Sequence, residues 1–250
     1  MRLTWLGHAT MVLDLDGTRL LVDPLLRRFA GPLRRRGPMP RPEQWADTDA
    51  VLVSHLHHDH ADLPSLRLVG EVPTLSGEGN AAYLRGRGFN GVGLNDGWHP
   101  VGSNGVSVRL VRADHHSRPM PHRPNEAYGH LVRGPSATVW VAGDTSLYPE
   151  LTEIPSLAGG QVDLAIVPIG GWGPRLSRGH LDPDAAARAC ALVGARDAMP
   201  YHWGSLYMPG TRLLPGGWLD LPGALFPGAM KRHAPDSRTV MMHPGETVDL

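Results

Sequence analysis

The segment His55-Leu56-His57-His58-Asp59-His60 constrains this chain more than any other. Its H-x-H-x-D-H pattern gathers three imidazoles and a carboxylate into six positions, with His58 at a variable place. It follows the apolar run Ala50-Val51-Leu52-Val53-Ser54, which reads as a strand buried on both faces. A strand that stops in such a cluster delivers metal ligands to the edge of a sheet. Each divalent ion wants about four to six ligands, so one loop cannot complete a two-metal site. The fold must bring other donors to the same edge.

Three further strand-like runs end in such donors. Val108 to Val111 leads into Asp114-His115-His116-Ser117, Thr138 to Ala142 into Gly143-Asp144-Thr145, and Ala198 to Tyr201 into His202-Trp203-Gly204. A single His or Asp after a strand is an ordinary turn or cap residue. Four such ends in one chain argue for an active site, because a rigid sheet holds the side chain that the loop sets free. Other strands are expected within 1–22, with an Asp16-Gly17 hairpin turn, and at 72–75, 162–167 and 239–242. Helices are expected over 79–87, 149–157 and 183–193. The last has Asp182 as N-cap, Pro183 at N1 and Gly194 as its stop. Residues 27–46, rich in Arg and Pro, read as irregular. Many short strands with few helices between them suggest one α/β domain over 1–250, with two packed sheets covered by helices.

In order and spacing, Trp5-Leu6-Gly7-His8-Ala9-Thr10, His55 to His60, His115-His116-Ser117, Gly143-Asp144-Thr145 and His202-Trp203-Gly204 resemble the metallo-β-lactamase-fold hydrolases. The first, third and fifth of these, with Pro168-Ile169-Gly170-Gly171 and Gly179-His180-Leu181-Asp182-Pro183, resemble the branch holding N-acyl-phosphatidylethanolamine phospholipase D and L-ascorbate-6-phosphate lactonase. The resemblance implies a four-layer αββα sandwich with two mixed β-sheets and helices outside. It implies two divalent ions, zinc in first place with manganese or iron as alternatives. His55, His57 and His115 would hold one ion, Asp59, His60 and His202 the other, and Asp144 would bridge them. The choice of His115 over His116 rests on its H-x-S spacing to Ser117. Two cations roughly 3.5–4 Å apart would lower the pKa of a shared water for attack on a phosphodiester or related small ester. A lactonase acting on a phosphorylated sugar lactone and a catalytically silent metal-binding or assembly domain are the alternatives.

Other roles follow from that reading. Asp59 would ligate and also orient the nucleophile. His180 would protonate the leaving group, unless it only caps the following helix. Asp23 would accept an imidazole N–H from a ligand, or simply start an Asp-Pro turn. His8 reads as a supporting or structural histidine rather than a ligand. Arg34, Arg35 and Arg36 lie in an Arg-rich stretch after Asp23. They would bind a phosphate or carboxylate or belong to a solvated loop. Trp172, Trp203 and His116 would line the pocket. The segment 209–230 would form a lid, a lipid-facing surface or a dimer contact, or pack on the core.

Composition narrows the classes. Fourteen His among 250 residues suit metal chemistry, and a formal net charge of zero argues against nucleic acid bound by bulk electrostatics. The sole cysteine, Cys190, excludes an internal disulfide framework and reads as a small core residue. No secretory signal or membrane span is read, so a cytoplasmic protein acting on a small, possibly phosphorylated or lipid-like substrate is expected, with a homo-oligomer left open. Elemental analysis of the purified chain is expected to return about two metal ions per chain. A value near zero after metal-replete growth would contradict the reading.

Overall fold

The computed structural model describes residues 1–116, 122–124 and 126–250. Ser117, on which the choice of His115 rests, lies outside them. Two seven-stranded sheets face each other. In spatial order the first holds Thr247–Asp249, Arg2–Gly7, Thr10–Leu15, Thr18–Val22, Ala50–Leu52, Thr74–Gly77 and Gly91–Leu94. The second holds Arg238–Thr239, Asp197–Tyr201, Leu164–Pro168, Thr138–Val141, Tyr128–Arg133, Val106–Arg112 and His99–Val101. Both are mixed, with antiparallel pairs on one side and parallel pairs on the other.

Side-chain alternation explains the layering. Along the first sheet, Met11, Leu13, Leu20, Val22, Ala50 and Leu52 point into the cluster shared with the second sheet. Their neighbours Val12, Leu21, Val51 and Val53 point the other way, into a second cluster with Leu66 and Leu84. Successive strand residues face opposite sides, so a run that is apolar throughout must be covered twice. Helices Leu63–Val69 and Glu78–Arg85 cover one outer face, and Pro183–Val193 and Leu221–His233 cover the other. The result is a four-layer αββα sandwich. Cys190 is fully buried in it, and burial pushes its thiol up to about 12.

Some expectations shift. Residues 27–46 are not wholly irregular: Phe29–Ala30 pairs with Leu33–Arg35, which pairs in turn with Leu206–Tyr207 in a small third sheet, and Pro42–Trp45 is a short helix. A local hairpin and a long-range partner together order a stretch that has no period of its own. Strands Gly91–Leu94, His99–Val101 and Tyr128–Arg133 lie outside the expected set. Helix Leu221–His233 forms despite Pro227 within it, because Phe226, Ala229 and Met230 are buried. Of 209–230, then, the second half packs on the core. Leu213, Leu214, Leu221 and Leu225 stay exposed. No helix among the described residues is long and apolar enough to cross a membrane.

The edge where these strands end is stitched by backbone bonds between the sheets: His202 N–H donates to His8 O at 3.1 Å and Tyr128 N–H to Ser54 O at 3.0 Å. Gly143 sits at φ +66°, where a Cβ would lie 2.5 Å from the Tyr128 carbonyl oxygen, so the residue before Asp144 must be glycine. His130, fully buried on Tyr128–Arg133, has neither ring nitrogen hydrogen-bonded to a described residue. Burial depresses its pKa to about 4. A depressed histidine leaves stability intact above its unfolded value of about 6.5 and removes it as pH falls toward 4, because the unfolded chain takes the proton first. His130→Leu is therefore expected to flatten the loss of stability between those pH values. Urea unfolding across that range would measure it, and an unchanged slope would exclude His130 as a contributor.

Candidate metal centre

All seven sequence-derived ligands meet at the strand ends. His55 and His57 leave the end of Ala50–Leu52, His115 follows Val106–Arg112, Asp144 follows Thr138–Val141, and His202 follows Asp197–Tyr201. One group is His55, His57 and His115. His57 Nδ1 lies 2.9 Å from His55 Nε2 and 3.3 Å from His115 Nε2. The other is Asp59, His60 and His202, where the two Nε2 atoms are 3.1 Å apart and Asp59 Oδ2 is 3.8 Å from His202 Nε2. Asp144 stands between the groups. Its Oδ2 is 3.2 Å from His60 Nε2 and its Oδ1 3.4 Å from His202 Nε2, and it shares donor clusters with both His55 and His115.

Protons decide what these contacts mean. His55 Nδ1 donates to Ser54 Oγ at 3.0 Å, His60 Nδ1 to Asp23 Oδ2 at 2.8 Å, His115 Nδ1 to Gly179 O at 2.9 Å and His202 Nδ1 to Gly170 O at 3.0 Å. With the outer nitrogens so occupied, the inner nitrogens converge, and the donor set they form can hold a cation. Asp144 Oδ1 is buried and has no hydrogen-bond partner among the described residues. Burial disfavours a charge on His60, but Asp144 and Asp23 outweigh it and raise its pKa well above the usual range. Burial likewise opposes ionisation of Asp144, while His202, His60 and His180 hold its carboxyl well below that range. The pocket thus concentrates negative charge and draws in positive charge. Nitrogen and carboxylate donors of this kind fit zinc, manganese or iron.

The supporting residues are equally placed. Asp23 accepts from Ser54 N–H at 2.8 Å and Ser54 Oγ–H at 2.7 Å as well as from His60. It holds the metal-ligand loop rather than serving only as a turn. His8 Nε2 donates to Asp59 Oδ2 at 3.0 Å, and its ring lies 3.8 Å from that of His202. His8, Asp23 and His202 all adopt positive φ (55°, 42° and 63°). Such strain costs on the order of 1 kcal/mol or more per residue and is kept where a site requires it. Ser54, read from sequence only as a strand end, joins Asp23, His55 and His60; its place directly before the hexapeptide was the available signal.

The centre opens on a cleft of about 580 Å³ lined by His57, His58, Asp59, His116, Asp144 and His180, facing Ala30, Pro32, Leu33, Trp172 and Met208. His180 Nε2 is 3.2 Å from Asp144 Oδ2, and His116 pairs with Asp114 at 2.9 Å. The remaining expected pocket residues face elsewhere. Arg35 is buried and donates to the carbonyls of Leu6 (2.7 Å), Leu25 and Arg27. Burial lowers its pKa to about 10. Arg36 pairs with Asp220 at 2.6 Å, and Arg34 is exposed on the small sheet. None of the three lines the cleft. Trp203 is buried against Trp5 and Gly223, because a large apolar ring gains more from the core than from a polar mouth.

A sequence profile described as the Beta-lactamase superfamily domain matches residues 18–203. The chain is 31% identical over 257 residues to a metal-dependent hydrolase of Nitratidesulfovibrio vulgaris, covering 100% of this chain and 95% of that one. It is 30% identical over 232 residues to the N-acyl-phosphatidylethanolamine-hydrolyzing phospholipase D 1 of Caenorhabditis elegans, covering 83% of this chain and 65% of the relative. The chain thus spans a little under two thirds of the phospholipase. Igni18, a metallo hydrolase of the hyperthermophilic archaeon Ignicoccus hospitalis, superimposes with a TM-score of 0.73 at 25% identity, covering 99% of this chain and 97% of that one.

Asp23→Asn keeps the shape but loses acceptor charge at His60 and Ser54. Metal affinity is expected to fall about 10–100-fold, read by competition with a chromophoric chelator. Wild-type affinity in that variant would show that Asp23 acts on the fold alone.

Proposed function

The chain belongs to the β-lactamase superfamily and is a metal-dependent hydrolase, and from that premise we propose a dinuclear enzyme that cleaves a phosphodiester or related small ester carrying an apolar group. The observation that carries the proposal is the buried Asp144 carboxylate, which two groups of donors share. In this reading His55, His57 and His115 would hold one ion, Asp59, His60 and His202 the other, and Asp144 would serve both. When bound, the ions supply Lewis acidity at the scissile centre and lower the pKa of water toward neutrality.

The chain's own residues supply orientation and protons. His8 fixes Asp59 by its 3.0 Å contact, so that carboxylate keeps one direction toward the reacting centre. His180 lines the cleft beside Asp144 and Ser177 and is the donor to the leaving group. The wall formed by Ala30, Pro32, Leu33, Trp172 and Met208 excludes water and accepts an apolar substituent. The phospholipase relative, whose name records hydrolysis of an N-acylated phospholipid, supports the same substrate chemistry. Zero formal net charge and an apolar wall favour a small molecule over a polynucleotide.

Asp144→Asn is expected to lower both metal content and kcat, the latter by at least about 100-fold. Full activity in that variant would remove the shared-carboxylate role. Bis(p-nitrophenyl) phosphate, a sugar lactone and an N-acylated phospholipid form the substrate panel. Preference for the lactone would move the reading to a lactonase. No turnover by a metal-replete preparation would favour a binding or assembly role.

A further inference from the structure

We propose that Arg123 and His58 form a substrate-positioning pair, in which Arg123 clamps the metal-ligand loop and fixes His58 as an N–H donor to a non-reacting oxygen of the substrate. The proposal rests on the cleft being the substrate site. Arg123 is buried, and its Nη1 donates to Leu56 O at 2.6 Å and to Ala61 O at 3.2 Å. Those two carbonyls flank His57, His58, Asp59 and His60, so one guanidinium ties both ends of the segment that carries three of the ligands. The contact spans more than sixty positions of chain, and no local pattern announces it.

The same guanidinium sets the chemistry of His58. Its Nη2 lies 3.1 Å from His58 Nδ1. An arginine has only donors and keeps its charge, so Nδ1 must be the acceptor. An N–H at Nδ1 would point at the N–H of the guanidinium. The ring N–H of His58 is therefore on Nε2. Its ring is exposed and lines the cleft beside His57, Asp59, Asp144 and His180. An Nε2–H donor at the rim of the cleft matches the phosphoryl or carbonyl oxygen that is not being displaced. His58 occupies the variable place of H-x-H-x-D-H and takes no part in either ligand group described above, so its contribution belongs to substrate binding.

The test uses the full metal-loaded chain. Long-range nitrogen–proton NMR of the histidines, with His58→Gln for assignment, should show His58 as the Nε2–H tautomer, and Arg123→Met should turn it into a mixture. Inorganic phosphate binding, measured by calorimetry, should weaken about 10-fold in His58→Phe and less than about threefold in His58→Gln, which keeps an N–H donor. Both variants should retain wild-type metal content, and His58→Phe should raise KM for bis(p-nitrophenyl) phosphate more than it lowers kcat. An Nδ1–H tautomer in the wild type, or equal phosphate affinity in wild type and His58→Phe, overturns the pair. If no ester in the panel is turned over while the tautomer and phosphate results hold, the hydrolytic reading fails and the positioning pair stands.

Discussion

Two imidazole nitrogens, Nε2 of His60 and Nε2 of His202, face each other at 3.1 Å, and each ring has already spent its other nitrogen on a partner. Around that contact the rest of the structure is arranged. At that distance a proton or a bound cation lies between the two nitrogens, and Asp144 and Asp23 favour positive charge there. Asp144 and Asp59 bring negative charge to the same point. The outer contacts, to Asp23, Gly170, Gly179 and Ser54, keep each ring from rotating away. The positive φ angles of His8, Asp23 and His202 are the backbone cost of that alignment.

The sandwich makes this strain tolerable. Strands that alternate between two apolar clusters are held on both faces, so their ends cannot drift. Backbone bonds from His202 to His8 and from Tyr128 to Ser54 then join the two sheets at the one edge where ligands gather. Arg35 works from the other side, with its guanidinium spread over three carbonyls of the first strand and the loop after Asp23. Rigid elements, rather than the loops themselves, supply the precision with which the donors converge.

The cleft above the centre is two-sided. Its floor is imidazole and carboxylate, and its opposite wall is built from the small sheet, Trp172 and Met208. Of the arginines that seemed from sequence to face the mouth, Arg35 is structural, since its buried guanidinium is satisfied by carbonyls, and Arg36 pairs with Asp220 at the surface.

The sequence by itself determined the donor types, their order and their position at the ends of apolar runs, because metal ligation is written in short local spacing and strand burial in a period of two. It was also enough to place Asp182, Pro183 and Gly194 at the ends of a helix that the structure reproduces. What only the tertiary structure decided depends on contacts between distant residues. Arg123 reaches Leu56, His58 and Ala61, Arg35 turns inward, and Trp203 packs on Trp5 and Gly223. The hairpin of 29–35 is completed as a sheet by 206–207, and 221–233 becomes helix across Pro227 because one face has a core to cover. A side chain's partner across the fold has no period or motif to reveal it. It is settled by which buried donor lies within reach of which unsatisfied acceptor once the chain has folded.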